Sequence, residues 1–193
     1  MDLMVDCGTA SARMDWPTPD VLRAVRLLDP LGLYWIEEPT HPNNLEGYAQ
    51  LAAAIDTPIA GIESLTTLYE AREILDRRAV DVLLIDSTHA GGLLECKRIA
   101  ALAAAYGIPI APHSWSTAVG LAANFHLAFA TPNALIGEYP MVSYPLLDEL
   151  LVEPFDIENG YLLPPSTPGL GVELTDAIVE KYPYVPGSGF KIR

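Results

Sequence analysis

Short, almost continuously apolar runs alternate along the first 140 residues with longer stretches of mixed character. The apolar runs lie at residues 2–6, 33–37, 58–63, 81–86, 108–112 and 134–138. Runs of this length without polar alternation are typical of strands that are covered on both faces. The stretches between them predict helices over residues 18–29, 44–55, 66–78, 92–106 and 117–130. The chain therefore repeats a strand–helix unit.

Several helix ends carry local signals. Thr18 is predicted to cap the first helix, and Pro19 suits its first position because proline has no amide hydrogen to leave unpaired. Asn44 is the predicted cap of the second helix. Gly107 is predicted to end the fourth helix in the left-handed conformation, which glycine adopts without steric cost.

Alternating strands and helices predict an α/β fold built on a parallel sheet. The right-handed crossover rule leaves two arrangements, an open doubly wound sheet or a barrel. An open dinucleotide-binding sheet should carry a glycine-rich phosphate turn after its first strand, but residues 7–10 are CGTA. A polar residue at the end of every strand favours the barrel, so we predict a partial TIM-type (β/α) barrel.

The polar residues at the strand ends recur 23 to 31 residues apart. They are Asp6, Glu37, Glu63, Asp86, His113 and Glu138. A strand, a helix and two short loops take roughly 25–35 residues, so each polar residue falls at the same point of its unit. The carboxyl ends of barrel strands meet at one mouth, where catalytic groups gather. We therefore predict a site that these six residues share.

Composition limits the classes of function. The net charge of −14 disfavours nucleic acid and anionic membranes as partners. No apolar run is long enough to span a bilayer, and the N-terminus lacks the basic segment of a signal peptide, so we expect a cytoplasmic protein. Two cysteines without a C-x-x-C motif exclude a disulfide framework and a structural zinc site.

The 193 residues fit one domain, 1–193, in which strand–helix units occupy 1–140 and an irregular tail occupies 141–193. The tail is rich in proline and glycine, with a short helical pattern near 175–181. About six units fit before the tail, whereas a closed barrel needs eight. Because the first predicted strand begins at once, we expect the missing units to precede it.

Asp6, Glu37 and Glu63 end three successive strands. Three carboxylates that converge in a poorly hydrated site repel one another unless a cation lies between them. Oxygen-only ligands in an open arrangement suit Mg²⁺, so we predict that these residues bind Mg²⁺. The alternative is that each carboxylate caps the following helix or is solvated in a loop.

Extended runs of the sequence resemble the enolase superfamily. The most specific are LYWIEEPTHPNNLEGY and DVLLIDSTHAGGLLECKRIA, and LMVDCG, PIAGIESL, IPIAPHSWSTAVGLAA and ALIGEYP agree with them. Within the superfamily the chain is most similar to the mandelate racemase/muconate lactonizing enzyme family, from residue 2 to about residue 175. The resemblance implies strands 3–8 of the family barrel.

The resemblance also implies roles for residues. The family's metal ligands fall on Asp6, Glu37 and Glu63, with Glu38 as a support behind Glu37. The family often has asparagine two residues after the first ligand, where this chain has Gly8.

In the mandelate racemase branch, an aspartate on one strand pairs with a histidine on the next, and these positions match Asp86 and His113. A carboxylate bonded to one ring nitrogen fixes the tautomer and raises the basicity of the other nitrogen, which can then remove a proton from carbon. Glu138 matches a position that donates a hydrogen bond to the substrate carboxylate. The alternatives are a core histidine and an ordinary strand-end carboxylate.

The implied activity is Mg²⁺-dependent removal of the proton alpha to a carboxylate, through an enediolate. We favour dehydration of an acid sugar to a 2-keto-3-deoxy acid, because one His–Asp pair can serve as base and then as acid. A racemase or epimerase is the alternative, although the family's K-x-K motif for the second base does not occur in this chain.

The family's N-terminal capping domain is expected to be absent from this chain, so a catalytically inactive fragment is a further alternative. The expected partners are a small carboxylate substrate and other copies of the same chain in a homo-oligomer.

Overall fold

Five short strands and five longer helices alternate in the computed structural model, which describes residues 1–8 and 16–186. The strands are β1 (Met4–Asp6), β2 (Trp35–Glu37), β3 (Ile59–Gly61), β4 (Val82–Ile85) and β5 (Ile110–Pro112). The helices are α1 (Thr18–Leu28), α2 (Leu45–Ala52), α3 (Leu68–Asp76), α4 (Gly92–Ala105) and α5 (Ala118–Phe129). Residues 9 and 10 of the turn after β1, and residues 187–193 of the predicted tail, lie outside the described residues.

The strands form one parallel sheet in the order β1-β2-β3-β4-β5, so each pairs with its neighbour in sequence. Consecutive parallel strands with a helix in each connection make up part of a TIM-type barrel, which confirms the predicted fold class. The strand predicted over 134–138 is reduced to one parallel bridge between Ala134 and Ile110. In the described part of the chain this segment pairs on one side only, which limits its hydrogen bonding to the sheet.

Two of the four predicted helix-end signals, those of Asn44 and Gly107, agree with the structure, and Pro19 is the second rather than the first residue of α1. The Asn44 side chain accepts a hydrogen bond from the Gly47 amide at 3.0 Å and so caps α2. Gly107 follows α4 with φ of 75°, the predicted left-handed conformation. The prediction for Thr18 was wrong: Thr18 is the first residue of α1, and Pro17 takes the cap position without a side-chain hydrogen bond. The chain enters the helix one residue earlier than the hydroxyl suggested.

Strands β2 to β5 are buried on both faces, as their continuous apolar runs predicted. The same prediction was wrong for β1, whose residues are mostly exposed because β1 pairs with β2 alone in the described sheet. One face packs against the helices through Ile36, Ile59, Leu83, Ile85 and Ile110. The intervening positions Trp35, Ala60, Val82, Leu84 and Ala111 form a second cluster on the opposite face, which is the interior side of a barrel. This packing fixes the ends of neighbouring strands relative to one another, and so it positions the residues that directly follow the strands.

The tail packs against α5. Its elements are α6 (Pro145–Asp148), the hairpin β6 (Ile157–Glu158) and β7 (Tyr161–Leu162), and α7 (Asp176–Lys181). Leu147 and Leu150 are buried against Leu121 and Phe125 of α5. Among residues 1–8 and 16–186, no helix is both long and apolar enough to cross a membrane.

Candidate active site

Asp86 and His113 lie next to each other at the ends of adjacent strands. Asp86 directly follows β4 and His113 directly follows β5, and Ile85 is paired with Pro112 in the sheet. His113 Nδ1 lies 2.9 Å from Asp86 Oδ2, within hydrogen-bond distance. The parallel register therefore brings together the two residues that the sequence assigned to proton transfer.

Asp86 is an almost fully buried carboxylate, 1% exposed, whose charge is compensated by hydrogen bonds. Oδ1 accepts from Thr88 N and Thr88 Oγ1, both at 2.8 Å, and from Asn124 Nδ2 at 2.9 Å. Burial favours the neutral acid, but the bonds from His113, Asn124 and Thr88 outweigh it and hold the pKa of Asp86 well below its usual range. Asp86 is thus an ionised acceptor for the imidazole.

The other ring nitrogen of His113 faces carboxylates. Nε2 lies 3.7 Å from Glu63 Oε2, on the opposite side of the ring from Asp86. Burial lowers the pKa of His113, but the hydrogen bond to Asp86 and the charges of Glu63 and Glu138 raise it to about 9. The ring of His89 stacks beside it with the centroids 6.3 Å apart. His113 therefore presents Nε2 to the predicted mouth of the barrel.

Asp6 and Glu37 are paired residues of β1 and β2, so their side chains start from neighbouring points on the same edge. Glu37 Oε2 accepts a hydrogen bond from Trp35 Nε1 at 2.8 Å. Asp6 Oδ1 accepts from the Gly8 amide at 2.7 Å. Gly8 has φ of 60°, which glycine and asparagine adopt more readily than other residues. The glycine at this position thus suits the turn that holds Asp6.

Glu37 and Glu63 share a common electrostatic environment. The pKa of each is raised to about 7, and burial is the largest cause for both. The hydrogen bond from Trp35 opposes the rise for Glu37, and the charge of His113 opposes it for Glu63. The charges of Asp6 and Glu138 raise both pKa values further. The repulsion expected from converging carboxylates is therefore present at this edge of the sheet.

Mg²⁺ suits this edge by its chemistry. In the described residues no three His, Cys, Asp or Glu side chains stand in an arrangement that could hold a metal ion as they are. Carboxylates that repel one another without a cation between them are expected to stay apart. Burial is the main cause of the raised pKa values of Glu37 and Glu63, and a divalent cation would offset both the burial and the added repulsion from neighbouring carboxylates. Mg²⁺ also prefers oxygen ligands. Asp6, Glu37 and Glu63 thus fit Mg²⁺ by donor type, although the carboxylates are not preassembled.

Glu138 is fixed from the neighbouring strand end. Its Oε2 accepts a hydrogen bond from the Ser114 amide at 2.6 Å, directly after His113. Its charge acts on His113, Glu37 and Glu63, so it faces the same region as the other five residues.

Glu38, next to Glu37 in sequence, contacts the following strand end. One of its carboxylate oxygens accepts a hydrogen bond from the Ile62 amide. Burial raises the pKa of Glu38 to about 7, and this bond and the nearby Tyr48 hydroxyl oppose the rise. Glu38 and Ile62 have φ of 44° and 67°, and a left-handed β-branched residue is uncommon. This contact therefore shapes the backbone directly before Glu63, a feature the sequence did not reveal.

Asn124 is a second residue that the sequence analysis missed. It lies in α5, is fully buried, and bonds to Asp86 and to the backbone of both neighbouring strand ends. The available signal was an amide inside the apolar helical stretch AVGLAANFHLAF, because a buried polar side chain nearly always has hydrogen-bond partners.

Comparison with known proteins identifies the family of the chain. A family model described as "Enolase C-terminal domain-like" matches residues 1–178. A mandelate racemase/muconate lactonizing enzyme from Sulfitobacter sp. superposes with a TM-score of 0.81 at 35% identity, over 90% of this chain and 43% of that one. The chain belongs to the mandelate racemase/muconate lactonizing enzyme family of the enolase superfamily.

Curated members of the superfamily with similar sequences include sugar-acid dehydratases. D-galactonate dehydratase from Ralstonia nicotianae is 38% identical over 173 residues, which is 86% of this chain and 45% of that protein. Arabinonate dehydratase from Saccharolobus solfataricus is 35% identical over 163 residues, covering 84% of this chain and 43% of that protein. This enolase-superfamily chain therefore spans less than half the length of the curated relatives that it matches.

Proposed function

We propose that this chain supplies the proton-transfer residues of an enzyme that dehydrates an acid sugar to a 2-keto-3-deoxy acid in a Mg²⁺-dependent reaction. The observation that carries the proposal is the geometry of His113. Nδ1 is held by the buried Asp86 at 2.9 Å, and Nε2 faces the carboxylates at the mouth. A histidine oriented in this way can take a proton from a bound substrate and later return it.

In the proposed reaction His113 removes the proton from C2 of the substrate, and the electrons of that C–H bond pass into the carboxylate to form an enediolate. The hydroxyl group on C3 then leaves with a proton from the imidazolium, and the resulting enol rearranges to the 2-keto acid. No oxidant or reductant is needed, because the only product besides the keto acid is water. Asp86 stabilises the imidazolium that exists between the two steps.

The carboxylates have separate roles. When bound by Asp6, Glu37 and Glu63, Mg²⁺ would withdraw negative charge from the substrate carboxylate and make the C2 proton more acidic. Glu138 lies beside His113 through its bond to the Ser114 amide, where a protonated carboxyl could donate a hydrogen bond to the enediolate. The names of the two dehydratase relatives support the acid-sugar class as substrate.

The test uses the protein together with any residues that its gene encodes before residue 1. It is incubated with Mg²⁺ in deuterated water and a panel of acid sugars that includes galactonate and arabinonate. Proton NMR follows loss of the C2 proton and entry of deuterium at C3 of the keto acid, and a keto-acid assay follows loss of water. We expect both signals with at least one acid sugar. His113→Asn should abolish both, since asparagine cannot carry the proton.

His126→Asn is the matched control, because His126 lies in the last turn of α5 and should tolerate the same replacement with activity retained. Deuterium incorporation without loss of water, accompanied by inversion at C2, would identify a racemase or epimerase instead. A protein that binds Mg²⁺ but neither exchanges the C2 proton nor removes water from any acid sugar would refute the proposal and favour an inactive chain.

A further inference from the structure

Asn124 connects both members of the Asp86–His113 pair from a helix. Its Nδ2 donates to Asp86 Oδ1 at 2.9 Å and to the backbone carbonyl of His113 at 2.7 Å. Its Oδ1 accepts from the Ser87 amide at 2.8 Å. One side chain thus bonds to the Asp86 carboxylate, to the backbone of Ser87 and to the backbone of His113.

The orientation of the Asn124 amide is determined by its partners. Asp86 Oδ1 and the His113 carbonyl can only accept hydrogen bonds, whereas the Ser87 amide can only donate. Exchanging the oxygen and nitrogen would place an acceptor against two acceptors and a donor against a donor. Because Asn124 is 0% exposed, water could not relieve that mismatch. The amide therefore has one stable orientation, in which both of its hydrogens are used.

The contacts also determine which oxygen of Asp86 meets the imidazole. Asn124 and Thr88 occupy Oδ1, so Oδ2 is left for His113 Nδ1. Thr88 lies two residues beyond Asp86 on the same loop and moves with it. Asn124 belongs to a different element and bonds the backbone of His113 as well. It therefore fixes the position of the carboxylate relative to the base, which a contact within the loop does not.

We propose that Asn124 is a positioning residue that holds Asp86 Oδ2 against His113 Nδ1 and thereby directs Nε2 toward the substrate carbon. The inference rests on the proposed function for its kinetic part and on the hydrogen-bond geometry for its structural part. An amide is suited to this role because it supplies two donors and one acceptor without charge. An aspartate would keep the acceptor for Ser87 but place a second negative group beside Asp86.

The test compares Asn124→Asp and Asn124→Ala with Asn133→Ala. Asn133 is the matched control because its Nδ2 also donates to two backbone carbonyls, those of Ala100 and Ile108. In the exchange assay we expect both Asn124 variants to lower kcat about tenfold to a hundredfold with little change in KM, the range typical of residues that orient a reacting group. Asn133→Ala should retain kcat, even where it lowers the melting temperature as much as Asn124→Ala does.

A second measurement needs no activity. In the unmutated protein, the proton between His113 Nδ1 and Asp86 should give a strongly downfield NMR resonance, and the two Asn124 amide protons should exchange slowly with solvent. Both Asn124 variants should lose or broaden the downfield resonance, and Asn133→Ala should keep it. This readout applies even if a variant is too unstable to assay, because the Asn124 signals are recorded in the unmutated protein.

The outcomes separate the two proposals. Rapid exchange of the Asn124 amide protons with solvent, or an unchanged downfield resonance and kcat in folded Asn124→Asp, would overturn the positioning role. Absence of both C2 exchange and loss of water in the unmutated protein, with the downfield resonance present and lost in Asn124→Asp, would reject the proposed function and leave the positioning role intact.

Discussion

Replacing Gly61 by alanine would add one methyl group where three buried groups meet. Gly61 is the last residue of β3, directly before the left-handed Ile62. A Cβ atom there would lie 2.8 Å from Tyr48 Oη, 3.0 Å from Tyr48 Cε1 and 3.1 Å from Glu38 Oε1. Tyr48 is 0% exposed and Glu38 is 1% exposed, so neither can swing into solvent. The ring, the carboxylate or the strand must therefore move.

The expected loss of stability follows from two opposing terms. Overpacking a close-packed interior costs about 1–3 kcal/mol, and the lower entropy of the unfolded alanine chain returns about 0.4–1 kcal/mol. The backbone at Gly61 is outside the left-handed region, so no further term for a positive φ applies. We expect Gly61→Ala to lower the free energy of unfolding by about 1.5 kcal/mol, or the melting temperature by about 3–6 °C.

Urea unfolding followed by circular dichroism and by tryptophan fluorescence measures this change. Coincident transitions with an unchanged slope would show that the native state alone is affected. Gly137→Ala is the control, since its Cβ would contact Phe125 at ordinary distances of 3.5 and 3.6 Å. That variant should be neutral or slightly more stable than the unmutated protein.

A double-mutant cycle identifies the clash. Tyr48→Phe removes Oη, the atom nearest to the added methyl group, so Gly61→Ala should be less destabilising in that background by about 0.5–1 kcal/mol. An effect of Gly61→Ala below about 0.5 kcal/mol, or one that is equal with Tyr48 and Phe at position 48, would refute the reasoning.

Three further predictions concern the metal and one helix cap. Millimolar Mg²⁺ should raise the melting temperature, because a ligand at a hundredfold excess over its Kd stabilises the folded state by about 2.7 kcal/mol. Glu37→Gln should abolish the effect, and Glu95→Gln should keep it. No shift in the unmutated protein would contradict the metal assignment. Thr67 and Glu70 form a capping box at the start of α3, so Thr67→Ala should lower the free energy of unfolding by about 1 kcal/mol in urea titrations, and no loss would argue against the cap. The Thr66 amide and hydroxyl and the Thr67 amide lower the pKa of Glu70 from its ordinary 4.5, so its stabilisation is complete above that pH and is lost in more acidic solution. The stability difference between the unmutated protein and Glu70→Gln should therefore shrink as the pH falls below about 4.5, and a constant difference would count against it.

The sequence predicted five of the six strands because short, continuously apolar runs are a clear local pattern, although β1 proved to be mostly exposed. It predicted a complete strand over residues 134–138, where the structure has one bridge. An apolar run indicates burial but not whether a strand has partners on both sides. In the described chain Ala134 bridges to Ile110 and the pairing ends there. The capping prediction for Thr18 failed for a related reason, since a suitable side chain does not fix where the first helical turn begins.

The strand-end residues could be anticipated because parallel register determines where the ends of neighbouring strands lie. Asp86 and His113 follow neighbouring strands, and the register brings them within reach of each other. Asn124 could not be anticipated from spacing, since its contact depends on how α5 packs over the sheet. Glu38 was expected behind Glu37, which stays a prediction, and the structure adds a bond from the Ile62 amide to its carboxylate. The left-handed backbone at Glu38 and Ile62 leaves no signal in the local sequence.

The proline- and glycine-rich tail bears on the chemistry through α5, although none of its residues is assigned a chemical role. Phe125, the residue next to Asn124, packs edge-to-face on Phe155 of the tail with ring centroids 4.9 Å apart. Leu147 and Leu150 press on the same side of the helix. The tail thus packs on the outer face of α5, whose inner face bonds to Asp86 and His113 through Asn124. Weakening this packing should therefore disturb the orientation of the His113 ring before it unfolds the sheet.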